Sequence, residues 1–464
     1  MLHATIIASL FAAQPTAEPV PPPSLAPQPA VQQTTANTSP GTLSGIIDSL
    51  VSFGTRHTLS DASDPARGIG AARQWIFDQF ESFGGRLEVG FDAHEIPAGN
   101  RLPNGATVVN VVATLPGTMP EAADRVYYLI AHYDSRVSNP MDATSDAPGA
   151  NDDGSGTAVV LEAARLLANA ELDATVVFMT VAGEEQGLYG ARAHARALAD
   201  EGALVAGVLS NDIVGDPSGP DGRSARNEIR VFSEGIPASM LLAPEGDEDS
   251  ARTRERQVRA VGLTRLYGAE SDSASRQLAR FVAEVAQREQ TAIRPRLIFR
   301  AYRFLRGGDH TAFNEMGFPA VRLTEVYEDY TKQHQDLRTE EGIEYGDTAE
   351  HVDPAYLADV VELNVATLMH LASAPRVPPE ARIIVASLTN DTTLRWSPCP
   401  EPDVAGYEVV WRATTSPTWD FSRDVGKVTE ATIPLSKDNW IFGVRSYDRD
   451  GYRSPVAYPA AARD

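Results

Sequence analysis

The stretch Val126-Tyr-Tyr-Leu-Ile-Ala-His-Tyr-Asp-Ser135 decides the fold of this chain. Its first six residues are apolar or aromatic and have the length of a buried strand, and a histidine and an aspartate follow closely. Because side chains alternate along a strand, His132 and Asp134 project from the same face. Taken alone, this pair is also typical of a hydrogen-bonded histidine at a strand end. Whether the pair belongs to a metal site depends on which side chains the neighbouring segments bring close to it.

Strand and helix patterns alternate on both sides of this stretch. Before it, apolar residues recur at helical spacing over 42–50 and 70–83, and strand patterns occupy 86–89 and 107–115. After it, the pattern predicts a helix over 156–167, a strand over 175–181, a helix over 188–199 and a strand over 204–214. We therefore expect an α/β domain whose mixed, largely parallel central sheet is flanked by helices, with ligands at the carboxyl ends of the strands.

Acidic side chains stand where the predicted strands give way to loops, and a later histidine completes the series. The series comprises His132, Asp134, Asp152, Asp153, Glu184, Glu185, Asp212 and His334. Each member alone fits an ordinary turn, a helix cap or a solvated loop. Together, carboxylates and imidazoles without thiolates are typical of a hydrolytic zinc centre, and this many ligands suit two metal ions. The sequence predicts a two-metal hydrolase.

Two adjacent glutamates, Glu184 and Glu185, follow the predicted strand over 175–181. Neighbouring side chains on such a segment point in different directions, so one can bind metal while the other faces the attacking water. A glutamate beside zinc can take the proton of that water. The pair therefore predicts one metal ligand and one general base.

Composition excludes several classes of function. The chain has 464 residues with 42% hydrophobic content, enough for a large core and a second domain. It carries 63 Asp and Glu against 40 Lys and Arg, a formal net charge of -23. Such a surface repels polyanions, so we expect no nucleic-acid partner. The single cysteine, Cys399, excludes intramolecular disulfides and thiolate-rich metal sites.

Four motifs in this order carry a family resemblance. They are His132-Tyr-Asp-Ser, Gly149-Ala-Asn-Asp-Asp-Gly-Ser-Gly, Gly183-Glu-Glu-x-Gly-Leu-Tyr-Gly-Ala and Asp212-Ile-Val-Gly. Together they resemble the zinc-dependent aminopeptidase family of secreted bacterial leucyl aminopeptidases, which are dinuclear zinc exopeptidases. The resemblance covers roughly residues 42–374 and implies a three-layer zinc exopeptidase fold over that range.

The resemblance implies a metal-binding role for five matching residues. His132 and Asp212 would hold one zinc ion, Glu185 and His334 would hold the other, and Asp152 would bridge the two. The implied cofactor is Zn2+, with two ions per chain.

The resemblance also implies the catalytic roles. Glu184 would be the general base, which takes a proton from the attacking water and later passes it to the leaving amine. Asp134 would orient His132. The peptide bond between Asp152 and Asp153 is expected in the cis form, which is rare outside proline.

The last metal ligand is open to more than one choice. The family places its final histidine a few residues before an Asp-Thr pair, whereas here a longer segment separates His334 from Asp347-Thr348. We favour His334, with His351 as the competitor and His310 as a third candidate. Asp309 and His310 resemble the family's Asp-His-x-x-Phe element, and they either support the site or simply begin a helix.

The amino-terminal segment differs in composition from the middle of the chain. Residues 1–17 contain a short apolar run followed by small residues, which predicts a signal peptide, although no basic residue precedes the run. Residues 18–41 are rich in Pro, Ala and Thr and predict a disordered leader. The zinc aminopeptidase domain is expected over 42–374.

Residues 375–464 show short alternating strands separated by turn residues, and they resemble a fibronectin type III β-sandwich. Their aromatic residues include Trp396, Tyr407 and Tyr447. These side chains either fill the core of the sandwich or contact protein or cell-surface material.

The sequence therefore predicts an exported metallo-aminopeptidase, periplasmic or extracellular, that acts on peptides. The apolar run at the amino terminus is too short for stable membrane insertion. Two alternatives stay open at this point. One is a glutaminyl cyclase-like cyclotransferase, which uses a single zinc ion, and the other is a non-catalytic receptor or adhesion protein of the same fold.

Overall fold

The structure is a computed structural model, and it describes residues 25–241, 250–304, 306–386 and 388–463. The predicted signal peptide, residues 1–17, lies outside this part of the chain, as do residues 18–24 of the predicted leader. Within the described ranges, none of the helices has the length and apolar character that crossing a membrane requires.

A mixed eight-stranded sheet forms the centre of the larger unit. Its strands are β1 (Glu88–Ile96), β2 (Ala106–Leu115), β3 (Arg125–His132), β4 (Thr175–Val181), β5 (Leu204–Asn211), β6 (Glu228–Ser233), β7 (Arg294–Ile298) and β8 (Ala320–Thr324). They lie in the order β1-β2-β4-β3-β5-β8-β6-β7. Strands β4, β3, β5 and β8 are parallel, and β2 and β6 pair antiparallel with the two sides of this group. The predicted mixed, largely parallel sheet is confirmed.

Strand β3 shows why the sheet needs a continuous apolar run. Tyr127 and Leu129 belong to a core on one face of the sheet, whereas Tyr128 and Ile130 belong to a second core on the opposite face. Since side chains alternate along a strand, a strand covered on both faces must be apolar at every position. This requirement explains the run over 126–131.

Helices cover both faces of the sheet. They are α1 (Pro29–Thr35), α2 (Pro40–Ser52), α3 (Gly68–Phe83), α4 (Gly154–Leu167), α5 (Glu184–Gly187), α6 (Tyr189–Glu201), α7 (Ser250–Leu266), α8 (Ala274–Glu289), α9 (His310–Glu315) and α10 (Pro354–Ser373). Helices α2, α3, α4, α8 and α10 pack in the first core, and α6 and α9 pack in the second. The helix–sheet–helix arrangement confirms the predicted three layers.

Helix α1 corrects the prediction of a disordered leader over 18–41, because residues 29–35 are helical and α2 already begins at Pro40. Val31 is fully buried. The carboxylate of Glu289 accepts hydrogen bonds from the Gln28 backbone and the Gln32 side chain, both at 3.1 Å. Composition alone favours disorder because the segment has few apolar residues of its own. Its order comes from packing against α4 and α10 and from the hydrogen bonds to Glu289, which composition does not contain.

The residues after α10 form two further sheets. Their strands are β11 (Arg382–Ile384), β12 (Thr392–Arg395), β13 (Val404–Ala413), β14 (Phe421–Gly426), β15 (Glu430–Ile433), β16 (Trp440–Asp448) and β17 (Ala460–Ala462), in the orders β15-β12-β11-β17 and β14-β13-β16. Trp396 and Tyr407 are buried in the core of this unit, whereas Tyr447 is half-buried. An all-β carboxyl-terminal unit is confirmed, and its relation to fibronectin type III domains stays a prediction. A separate hairpin of β9 (Arg338–Glu340) and β10 (Ile343–Tyr345) lies between β8 and α10.

Asp272 joins the two units. Its carboxylate lies 3.2 Å from Arg280 of α8 and 2.8 Å from Arg412 of β13, and these three side chains are at most 2% exposed. A second buried pair joins Arg125 of β3 to Glu401 at 3.1 Å. Charges removed from water are tolerated only with such partners. The carboxyl-terminal unit is therefore packed against the α/β unit rather than tethered to it.

Replacing Arg412 with methionine leaves Asp272 buried with one cationic partner fewer. We expect Arg412→Met to lower the free energy of unfolding by about 3–5 kcal/mol, measured by denaturant titration. The control is Arg395→Met in the same unit, whose ion pair with Glu430 is 50% and 51% exposed. That change should cost less than about 1 kcal/mol. Equal losses from both variants would contradict the role given to Asp272.

Candidate metal centre

The carboxyl ends of three parallel strands meet at one edge of the sheet and carry the predicted site. Strand β3 ends with His132, β4 is followed by the one-turn helix α5 with Glu184 and Glu185, and β5 is followed by Asp212. Asp152 enters from the turn before α4. His132, the two glutamates and Asp212 thus reach one place because they stand at the ends of strands of the same parallel group.

Asp152 lies between two groups of potential ligand atoms. In the first group, His132 Nε2 is 3.2 Å from Asp152 Oδ1 and 4.0 Å from Asp212 Oδ1. In the second, His334 Nε2 is 2.9 Å from Asp152 Oδ2 and 3.0 Å from Glu185 Oε2. Within each group, all three residues offer ligand atoms within 4.8 Å of one another. The two oxygens of one carboxylate thus face different groups, as those of a bridging ligand would.

The structure brings His334, and not His351, to this position. His351 ends a short 3₁₀ turn and lines a neighbouring narrow cavity together with Glu325 and Asp329. In the described part of the chain it belongs to none of the groups that could hold a metal ion. The geometry therefore favours the choice of His334 among the candidate histidines.

The donor set fits divalent metal ions. It offers imidazole nitrogens and carboxylate oxygens without a thiolate, which zinc accepts in hydrolytic sites. Glu185 Oε1 is buried and, among the described residues, has no hydrogen-bond partner. A buried oxygen without a donor is costly, and a cation would satisfy it. The residues present are therefore compatible with zinc.

Carboxylates dominate the electrostatics of the site. Burial opposes protonation of His334, yet Glu185 and Asp152 raise its pKa to about 10. Burial raises the pKa of Glu184 well above its usual range, and Glu185 and Asp309 add to this rise against the opposing effect of His132. Negative groups gathered in this way favour a positive charge at the centre, which a proton or a metal ion can supply.

Asp134 contacts both His132 and the segment that carries the two glutamates. The nearest acceptor for His132 Nδ1 is the main-chain oxygen of Asp134 at 3.0 Å, while its carboxylate oxygen lies 3.6 Å away. The carboxylate instead accepts hydrogen bonds from the backbone N–H groups of Glu184 at 3.3 Å and Glu185 at 3.2 Å. Thr58 Oγ1 donates to it at 3.1 Å. Asp134 thus orients His132 mainly through its backbone and holds the two glutamates through its side chain.

Two buried residues that the sequence analysis did not assign hold the Asp152 turn. The Asp347 carboxylate accepts the backbone N–H groups of Asn151 at 2.9 Å and Asp152 at 2.7 Å. Burial raises the pKa of Asp347 to about 7. Arg56 is fully buried and donates to the backbone oxygen of Gly149 at 2.8 Å. Asp347 was visible in the sequence only as half of an Asp-Thr pair, and Arg56 belongs to no motif.

Asp153 ties the ends of β3 and β5 to the start of α4. Its carboxylate accepts backbone N–H groups from His132 at 3.2 Å, Gly156 at 2.9 Å and Ile213 at 3.2 Å. A Cβ atom on Gly156 would lie 2.4 Å from a backbone oxygen of β5, so this position requires glycine. The peptide bond between Asp152 and Asp153 is cis, as the family resemblance implied.

The candidate centre opens into a cleft of about 320 Å³. The cleft is lined by four arginines, Arg101, Arg136, Arg303 and Arg306. Arg136 Nε donates to Glu185 Oε2 at 2.9 Å, and Gln333 Nε2 donates to Asp152 Oδ2 at 3.0 Å. These residues could not be predicted from the sequence, because single polar side chains in loops form no regular pattern. A cleft of this size is typical of small-molecule and peptide sites.

Asp309 and His310 stand at the start of α9, as the helix-start interpretation predicted. Both carboxylate oxygens of Asp309 are buried and have no hydrogen-bond partner among the described residues. Burial raises the pKa of Asp309 to about 7, with Asp134 and Asp212 among its neighbours. His310 Nε2 lies 2.8 Å from the backbone oxygen of Ala301. Within the described ranges, neither residue joins a group of potential metal ligands.

Comparison with known proteins places the chain in a family. Residues 110–226 match the model of peptidase family M28. A probable zinc metalloprotease of Leptosphaeria maculans is 47% identical, over 89% of this chain and 93% of its own length. A second, of Pyrenophora teres f. teres, is 44% identical, over 90% of this chain and 84% of its own length. The chain therefore belongs to peptidase family M28, together with relatives named as probable zinc metalloproteases.

Among solved structures, LapA of Legionella pneumophila is 17% identical and superposes with a TM-score of 0.50, over 74% of this chain and 76% of LapA. At this identity the likeness shows the fold alone. Both sequence relatives are fungal, so the bacterial part of the predicted family resemblance is not confirmed.

His334 and His351 can be compared directly. We expect His334→Gln to weaken the binding of at least one metal ion by more than about 100-fold, because it removes a nitrogen beside Asp152 and Glu185. Competition with a zinc chelator measures this loss. His351→Gln serves as the control and should bind metal like the wild type. The reverse outcome would assign the last ligand to His351.

Proposed function

We propose that this chain is an exported metallo-aminopeptidase that hydrolyses amino-terminal residues from peptides through a dinuclear zinc centre. The observation that carries the proposal is the position of Asp152, whose two oxygens face separate groups of donors. His132 and Asp212 complete one group, and Glu185 and His334 complete the other. Four ligands around one shared carboxylate, five in all, are more than a single zinc ion requires.

Glu184 is the proposed general base. Bound zinc ions supply Lewis acidity, which polarises the scissile carbonyl and makes the attacking water more acidic. Glu184 lines the same cleft as the five proposed ligands. It takes a proton from the water as the water oxygen bonds to the carbonyl carbon. Glu184 then donates this proton to the nitrogen of the scissile peptide bond as the carbon–nitrogen bond breaks, so its side chain is a carboxylate again.

The charges of the cleft support recognition of a peptide's amino end. Carboxylates around the centre attract the substrate's ammonium group, while the arginines in the wall offer N–H donors to carbonyl oxygens further along the peptide. Asp309 adds a buried carboxylate to the same region. The choice of the amino terminus rests on this distribution and on the resemblance to aminopeptidases.

Two rival functions are less well supported. A glutaminyl cyclase-like enzyme uses one zinc ion, and here the Glu185–His334 group offers a second set of donors. Formation of pyroglutamate from a glutaminyl peptide, with one zinc ion per chain, would favour that rival. A non-catalytic receptor has no need of a metal-binding set with a base beside it. Failure to bind zinc and to hydrolyse any aminoacyl reporter would favour the non-catalytic receptor function.

Export is part of the proposal and rests on the apolar segment within residues 1–17. An exported protein would be periplasmic or extracellular. Its peptide substrates would then come from outside the cytoplasm. The carboxyl-terminal unit is proposed to contact protein or cell-surface material. No nucleic-acid partner and no stable membrane insertion are proposed.

Glu184→Gln separates chemistry from metal binding. We expect this variant to keep its zinc and to lose about 10²–10⁴-fold in kcat, because glutamine cannot accept the proton of the attacking water. Turnover of an aminoacyl reporter and zinc content are measured on the same sample. Glu340→Gln, on the exposed strand β9, is the matched control and should keep full activity. Near-wild-type turnover by zinc-loaded Glu184→Gln would overturn the assignment.

Metal removal tests the reaction class. We expect chelation to abolish hydrolysis of a panel of aminoacyl reporters, and zinc to restore it. The reason is that the proposed reaction depends on the Lewis acidity of the metal ions that Asp152 would hold. A panel with free and acetylated amino termini also tests the exopeptidase part of the proposal. Hydrolysis of acetylated peptides at the same rate as free ones would argue against an aminopeptidase. Activity that persists without metal would argue against a metallopeptidase.

A further inference from the structure

A second cluster of metal-ligand side chains lies apart from the candidate metal centre, between strand β1 and helix α6. Asp92 and His94 stand two residues apart on β1 and therefore share a face, and His194 of α6 meets them there. The three side chains, Asp92, His94 and His194, are 26%, 20% and 14% exposed. They are partly buried, yet solvent and ions can reach them.

One carboxylate oxygen joins the two imidazoles. Asp92 Oδ2 is 2.9 Å from His94 Nε2 and 2.9 Å from His194 Nδ1, and the ligand atoms lie within 4.8 Å of one another. The candidate metal centre has similar spacings, since Asp152 lies 3.2 Å from His132 Nε2 and 2.9 Å from His334 Nε2. Two imidazoles with one carboxylate are donors that zinc and neighbouring transition-metal ions prefer.

The ligand atoms are held in place by groups behind them. The ring of His194 packs edge-on against Tyr128, and its Nε2 lies 3.2 Å from the Tyr128 hydroxyl oxygen. A metal ion at Nδ1 requires the ring proton on Nε2, and the hydroxyl oxygen can accept a hydrogen bond from this N–H. Asn110 is fully buried and donates to Asp92 Oδ2 at 2.9 Å. Two of the three ligands are thus oriented in advance.

Asp92 stays ionised in this setting. Burial opposes ionisation, but hydrogen bonds from His194, Asn110 and His94 outweigh it and hold the pKa of Asp92 well below its usual range. A permanent negative charge between two imidazoles attracts a divalent cation. Within the described ranges, the cluster has no arginine or lysine in an ion pair with Asp92 that would compete for this charge.

We propose that Asp92, His94 and His194 form a binding site for a further divalent transition-metal ion of the zinc class. Water from the exposed side completes its coordination. The ion joins the edge strand β1 to α6, so it stabilises this corner of the sheet.

Asn110 connects this proposed site to the segment that carries the general base. Its Oδ1 accepts the backbone N–H of Ala182 at 3.2 Å, and its Nδ2 donates to the backbone oxygen of Gly190 at 3.2 Å. Ala182 and Gly190 flank helix α5, which carries Glu184 and Glu185. The ion therefore braces the far side of the turn that holds these glutamates, without touching the cleft.

Metal content of the full chain tests the proposal. Wild type, His94→Gln, His194→Gln and Asp152→Asn are dialysed against about 10 μM free Zn2+, and zinc per chain is measured by mass spectrometry. We expect His94→Gln and His194→Gln each to hold one ion fewer than the wild type. In the Asp152→Asn background, adding His94→Gln should again remove one ion. Because these are differences between variants, they do not depend on how many ions the Asp152 centre holds.

Thermal unfolding gives a second readout that separates metal loss from misfolding. Without metal, His94→Gln and the wild type should unfold at similar temperatures. Zinc should raise the Tm of Asp152→Asn by more than it raises the Tm of the same variant with His94→Gln added, since a ligand stabilises only the state that binds it. Equal zinc content and equal zinc-dependent Tm shifts in Asp152→Asn with and without His94→Gln would overturn the proposal.

Discussion

The Asp152 carboxylate is the interaction on which the rest of the site depends. Its two oxygens face His132 and His334, which lie far apart in the sequence. Held this way, one side chain sets the distance between two groups of donors. The surrounding structure is arranged to keep it still, through the backbone hydrogen bonds from Asn151 and Asp152 to Asp347 and through the Gln333 side chain. A loose carboxylate could not define two sites at once.

The central sheet supplies the rigid base for this arrangement. Parallel strands end at a common edge, so the segments after β3, β4 and β5 deliver their polar side chains to one place. Asp134 and Asp153 then convert strand ends into fixed turns by accepting backbone N–H groups of neighbouring segments. The buried ion pairs of Asp272 with Arg280 and Arg412 attach the carboxyl-terminal unit to α8. The two units are therefore packed against each other.

Local patterns in the sequence carried much of the fold and the positions of the site. The apolar run before His132 reflects burial on both faces, and Gly156 in the first turn of α4 has no room for a Cβ atom, so both leave a clear trace in the sequence. Arg56 and the Asp92 cluster leave none, because their contacts join residues that are distant in sequence. The same reason explains the error at α1, whose order comes from α4, α10 and Glu289, all distant in sequence. Asp134 was found as a site residue, but its bonds to α5 depend on tertiary geometry.

We propose above all that Asp152 bridges two metal ions. Crystals of the zinc-loaded protein, measured on both sides of the zinc absorption edge, test this claim most directly. The account predicts two anomalous peaks beside the Asp152 carboxylate, separated by about 3.5–4 Å, one near His132 and Asp212 and the other near Glu185 and His334. A single peak beside Asp152, or a second one next to His351, would contradict it.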